Sequence, residues 1–317
     1  MPVEFQSDRI PLPVRAGASD WGYGAALIAV PGTSSVLVSL PPGGPRTPWC
    51  LADLDTGRIV RGTCMPGHLR DAVFPPAGDP DPRPWVLGTF GLGRLQLEPR
   101  PTVVGIVRKG LGTYKHRVAD LGGGLLGVGQ DDGRSLILVR ASDGVLVKRL
   151  SLAGPTLAYP LPGGRARVLS LYHAEVSDVD LTSTTVIARR PLPAGAGAGA
   201  ALLGDSVVAV LDPDRTEPAG GDVPPQRIVV WDAADLTVRR MAHAPERAYD
   251  VLGADHAGRI AVSVRHGFEL LDPVTLASVG GYRAGHGIHG AAVSPGGRTA
   301  ALLGADGDPF ALTVLRW

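Results

Sequence analysis

Two histidines three residues apart, His286 and His289, lie in the glycine-rich stretch "RAGHGIHGAAVSPGGRTAALL" (Arg283 to Leu303). Imidazole titrates near neutral pH and is a common metal ligand, so the pair raises acid–base chemistry or metal binding. Other polar residues join the question if the fold gathers them. His289, Asp250 and His116 could act as a catalytic acid–base group. His68, His116 and His289 could hold a divalent metal, helped by a carboxylate. The competing reading makes all of them solvated loop residues. The elements that carry them decide between these readings.

Those elements read as strands. Long segments with apolar residues at i, i+3, i+4 and i+7 are missing, and glycine (44) and proline (29) punctuate the chain throughout. Short apolar runs recur instead: "SSVLVSL", "RSLILVR", "ARVLSLY", "DSVVAVL", "RIVVWD" and "RIAVSV". An apolar strand, a polar turn and a second strand repeat, with turns beginning at Asp55, Glu98, Ala141, Asp180, Asp232 and Asp272. A spacing of about 40–45 residues with four strands per unit is the signature of a β-propeller.

The expected architecture is all-β: a single seven-bladed propeller over residues 1–317 with four-stranded blades. The approximate blades are 17–64, 65–110, 111–152, 153–193, 194–242, 243–282 and 283–317. The last unit stops after three strands. "RIPLPVRAG" near the N-terminus resembles "RRPLPAGAG" at 189–197, so residues 1–16 are expected to supply the missing strand and remove an open edge. A count of six would require one unit to be spurious, and blade 2 is the weakest. The segment "DPDRTEPAGGDVPPQ" (Asp212 to Gln226) reads as an inserted loop and "GAGAGAALLG" (195–204) as a flexible link between blades.

Composition narrows the partners. Lys and Arg total 31 against 30 Asp and Glu, and basic residues form no block longer than a pair. Nucleic acid and membrane surfaces are therefore not expected partners. No apolar run reaches the 18 residues of a membrane span. No basic start followed by an apolar core marks a secretory signal, so a cytoplasmic location is expected. Cys50 and Cys64 would face each other if Thr56 to Arg58 formed a three-residue hairpin loop, although two reduced thiols fit that location better. The heavy use of Ala, Gly, Pro and Arg, with no asparagine, suggests a GC-rich bacterial genome.

The stretch "GH…AAVSPGGRTAALLGADG…LTVLRW" resembles a WD40-type blade, with Gly285-His286 before the first strand and Ser-Pro-Gly-Gly in the first turn. Trp231-Asp232 matches the dipeptide that closes the third strand of such blades. The likeness is specific in blades 5 to 7 and only periodic in blades 1 to 4, so the chain resembles a degenerate WD40-like, YVTN-like or quinoprotein-like bacterial propeller. The resemblance implies a structural role for His286 and brings no activity with it.

Two functions follow as expectations. The first is a protein-interaction scaffold or regulatory module whose partner is another protein, with Trp49, Trp85 and Tyr114 as candidates for an exposed patch. The Pro- and Asp-rich loops are candidate recognition rims. The second is a lyase, cyclase, isomerase or hydrolase whose His/Asp site lies at the channel mouth, open to a small molecule. On that reading, residues near the starts of first strands would meet there: Trp21 and Tyr23 in blade 1, then His68, Arg70 and Asp71 in blade 2. No cofactor is expected, apart from a divalent metal under the second reading. No Gly-x-Ser-x-Gly, His-Glu-x-x-His, phosphate-binding Gly-x-x-x-x-Gly-Lys or Cys-x-x-Cys is present.

Overall fold

The computed structural model describes residues 3–13, 26–39, 49–62, 68–75, 79, 81–89, 91–97, 100–107, 116–130, 133–212, 226–308 and 310–317. Its 28 strands form seven antiparallel sheets of four, with no helix among the described residues. The chain is a seven-bladed β-propeller. Blade 1 runs from Leu27–Ala29 to Ile59–Arg61, blade 2 from Leu69–Val73 to Thr102–Val107, and blade 3 from His116–Gly122 to Leu146–Ser151. Blade 4 runs from Leu157–Leu161 to Thr185–Pro191, blade 5 from Gly197–Leu203 to Val238–His243, and blade 6 from Ala248–Ala254 to Ser278–Arg283. Blade 7 contains Gly290–Val293, Thr299–Leu303 and Ala311–Arg316. Its fourth strand is Gln6–Pro11, with Gln6 opposite Arg316 and Pro11 opposite Ala311.

Burial explains the strand patterns. The second strands are buried on both faces, as in Ser206–Leu211 (SVVAVL) and Thr299–Leu303 (TAALL), so they read as unbroken apolar runs rather than as alternation. The fourth strands are exposed edges. Leu146–Ser151 (LVKRLS) and Val238–His243 (VRRMAH) carry basic residues there, which discourages edge-to-edge pairing.

The residues sort into two compact units. One holds residues 119–254 and 258–281. Its cores include Leu169, Leu171, Trp231 and Leu236, and a second group around Val208, Ile228 and Val262. A buried ion pair joins the second and third strands of blade 4, and its arginine reaches on to blade 5. Arg167 Nε and Nη2 grip Asp178 Oδ1 and Oδ2 at 2.7 and 3.1 Å. Arg167 Nη1 also donates to the carbonyls of Ala233 and Ala234, beside the Tyr159 hydroxyl, which donates to Ala233. Burial works to raise the Asp178 carboxyl, but Arg167 and Arg190 outweigh it and hold the group below its ordinary range. Burial pushes the Tyr159 phenol up to about 12.

The second unit holds residues 3–118, 255–257 and 282–317. Its cores gather Val36, Cys50, Leu54, Leu303 and Leu312, and separately Leu37, Trp49, Leu69 and Val86. The turns between third and fourth strands share a device across both units. Asp53 Oδ1 accepts from the backbone N–H of Asp55 and Thr56, Asp232 Oδ1 from Ala234, and Asp272 Oδ1 from Val274 and Thr275. These bonds favour the ionised carboxylate and lower the pKa of each. In blade 1 the capping residue is Asp53, two positions before the Asp55 marked from sequence.

Several expectations change. Cys50 lies opposite Arg61, not Cys64, because the hairpin turn closes Ala52 against Ile59. Cys50 is free and buried, and burial pushes its thiol up to about 12; Cys64 lies outside the described residues. Trp49 and Trp85 are core residues, 1% and 4% exposed, and form no surface patch. Tyr114, Trp21, Tyr23 and residues 213–225 lie outside the described residues. The segment read as a flexible link is the first strand of blade 5, Gly197–Leu203. Its glycines serve close approach. A Cβ on Gly199 would fall 2.1 Å from Asp250 Oδ1 and 2.7 Å from Asp250 Cα, so the neighbouring first strand can approach only a glycine.

Candidate functional site

Asp250 belongs to the unit holding 119–254, whereas His68, His116 and His289 belong to the other. His116 opens the first strand of blade 3, and its side chain lies outside the described residues. Among the described residues, no group of three or more His, Cys, Asp or Glu is placed to hold a metal ion.

His286 and His289 are exposed and pack on different glycines of the loop after Leu303. A Cβ on Gly307 would lie 2.9 Å from His286 Cδ2, and one on Gly304 would lie 2.7 Å from His289 Cδ2. Both glycines hold positive φ, +77° and +81°, which L side chains rarely adopt. The His289 backbone N–H donates to Leu303 O at 2.9 Å and closes the start of the first strand.

Strand register changes the expected equivalences. Gly290 pairs with Leu303, Ala248 with Val264 and Leu69 with Gly88, each partner sitting at the end of a second strand. The residues just before them correspond: His289, Arg247 and His68. Asp250, opposite Ser263, corresponds to Ala291 and Asp71, opposite Leu302 and Leu87. In sequence alone, aligning Gly258-Arg259 of blade 6 with Gly297-Arg298 of blade 7 matches Asp250 with His289. Blade 6 carries two bulges in its first strand, and its first turn spans one residue more between paired positions than that of blade 7, which together shift the match by three.

Asp71 and Asp250 are thus a recurring structural pair that sequence reading missed. Each follows a bulge and accepts, through Oδ1, from the next backbone N–H at 2.9 Å, that of Ala72 or Val251. Asp71 Oδ2 also accepts from Val118 N–H at 2.9 Å, joining blades 2 and 3. The signal was an acidic residue two positions into an apolar strand, in "HLRDAV" and "RAYDVL". His68 is half-buried with its Nδ1 enclosed and without a hydrogen-bond partner. Burial and the nearby Arg70 charge lower its pKa and favour the neutral ring.

A different site emerges within the second unit. A cleft of about 890 Å³ lies where the first turns of blades 1 and 7 meet the joined ends of the closing strand pair. Gly32, Thr33 and Ser34 form one wall and Ser294 to Arg298 another. Ser294 Oγ donates to Thr33 O at 3.1 Å and ties these walls together. The closing register carries Phe5 to Trp317, and their rings meet edge to face with centroids 5.5 Å apart.

The indole is fixed from behind. Trp317 Nε1 donates at 3.0 Å to Asp255 Oδ2, a carboxylate with no solvent exposure, and Trp317 N–H donates to Arg298 O. His256 N–H donates to Gly297 O at 3.0 Å and braces the same turn. Charge on the rim is mixed. Arg316 is held by Asp8 and Leu54 O. Glu4, Asp55 and Arg298 are exposed on the cleft and make no ion pair among the described residues. The lining thus brings together an oriented aromatic pair, two exposed carboxylates and an exposed guanidinium.

No family model matches the chain, and no curated protein matches it in sequence. Solved structures share its fold. The Neurospora crassa Pan2 WD40 domain is similar at 14% identity with a TM-score of 0.68, over 98% of this chain and 95% of that one. Kuenenia stuttgartiensis hydrazine synthase is similar at 14% identity with a TM-score of 0.69, over 96% and 99% of the two chains. At this identity the likeness establishes the β-propeller fold and nothing of activity.

Proposed function

We propose that this propeller is a protein-interaction module that receives its partner at the cleft between the first turns of blades 1 and 7. The observation that supports this most is the oriented Phe5–Trp317 pair on braced turns, with Arg298, which has no ion pair among the described residues, on the same lining. Aromatic and arginine side chains on a preorganised surface are the residues that dominate binding energy at protein interfaces. The fold shared with a WD40 domain fits this use. The test is capture on the immobilised chain. A discrete protein retained by the wild type and lost with Gln6→Trp, which fills the cleft from an exposed position, is expected. Retention that Gln6→Trp leaves unchanged would sink the proposal.

A second reading, an enzyme of the lyase, cyclase, isomerase or hydrolase type, keeps one observation: the enclosed Nδ1 of His68 has no hydrogen-bond partner among the described residues, and burial lowers the ring's pKa. In that reading His68, with His116 and His289, would bind a metal. Elemental analysis of the purified chain tests it. Stoichiometric metal that His68→Ala abolishes would support it, and a metal-free chain after reconstitution with zinc or manganese would end it.

A further inference from the structure

We infer that the cleft takes an extended peptide segment carrying a basic side chain, with a lysine or arginine lodged against the Phe5–Trp317 pair and facing the Glu4 and Asp55 carboxylates. This rests on the interaction reading above and adds the chemistry of the partner. Three observations carry it. The edge-to-face aromatic pair lines the cleft, its indole held by the buried Asp255 carboxylate, and a cation beside aromatic rings is attracted by their quadrupoles. Two carboxylates on the lining, Glu4 and Asp55, make no ion pair among the described residues. Asp8 neutralises Arg316, leaving Arg298 as the one unpaired cation on the lining among the described residues. The free charge is therefore two negative against one positive, and a polyanion is disfavoured.

Shape and backbone favour a peptide. Each wall holds one glycine, Gly32 and Gly296, at which a Cβ would meet nothing within 4 Å. A main chain can therefore approach closely. The volume suits a segment of several residues. Arg298 then pairs with a carbonyl or an acidic side chain of the same segment, which sets its direction.

The experiment uses the full chain and a positional-scanning library of acetylated, amidated, fluorescein-labelled hexapeptides, read by anisotropy. Pools with arginine or lysine fixed at a central position are expected to bind about tenfold tighter than pools with alanine or glutamate there. Glu4→Gln combined with Asp55→Asn should erase that preference while leaving Tm unchanged, because both side chains are exposed. Flat pools, a preference for acidic pools, or a basic preference that survives the double variant would each overturn the inference. A captured protein partner that still needs the open cleft while the pools are flat sinks this inference alone. A partner indifferent to Gln6→Trp sinks the interaction reading, whatever the pools show.

Discussion

Replacing Asp178 by alanine is expected to lower the unfolding free energy by about 3–5 kcal/mol, because it strands a buried guanidinium without its counter-charge. Arg167 is 5% exposed at its side chain and Asp178 10%, so solvent cannot take over the lost partner. The same guanidinium fastens the blade 5 turn through Ala233 and Ala234, so the loss should loosen that turn as well. Asp178→Asn, which keeps an acceptor but not the charge, should fall between wild type and Asp178→Ala. Urea midpoints at constant m-value measure this. A loss under about 1 kcal/mol, the scale of surface pairs, would mean that the pair contributes no more than an exposed one.

Trp231→Ala should cost a similar amount, about 3–5 kcal/mol, for a different reason. The indole is fully buried against Leu169, Leu171 and Val229, and its removal leaves a cavity where blades 4 and 5 pack. Trp231→Phe keeps most of the buried area and should lose far less. Thermal melts of the three proteins check this, and equal Tm values for Trp231→Ala and wild type would contradict the packing described. Together the two variants separate a polar fastening from an apolar one in the same unit.

The architecture was legible because it repeats. A period near 40 residues, buried second strands and a last unit one strand short led to seven four-stranded sheets and to Gln6–Pro11 as the fourth strand of blade 7. Trp231-Asp232 ends the third strand of blade 5, as the resemblance implied, with Trp231 buried and Asp232 capping the following turn. Register was less legible. Bulges at Tyr249 and Leu252 and a longer first turn in blade 6 add residues that no composition reveals, so Asp250 aligned with His289 rather than with Asp71. Glycine misled at 195–204, where its meaning was close approach rather than freedom.

The cleft was half legible. The Ser-Pro-Gly-Gly turn and the closing strand were both read from sequence, and antiparallel closure carries Phe5 to Trp317. The missing step was Asp255, which orients the indole from another blade and has no local pattern to mark it. Trp49 and Trp85 drew attention as large aromatics, yet their surroundings bury them. A cation–π contact from Arg94, 4.1 Å above the Trp85 ring, covers the latter.

The most direct test of the binding claim is a calorimetric titration of the captured partner, once pure, against three forms of this chain. Wild type and His289→Ala should bind within about twofold of each other, while Arg298→Glu should bind at least tenfold more weakly, the scale of a hot-spot contact. Equal affinity for wild type and Arg298→Glu, with the loss falling on His289→Ala, would contradict the account and move the binding site to the loop after Leu303.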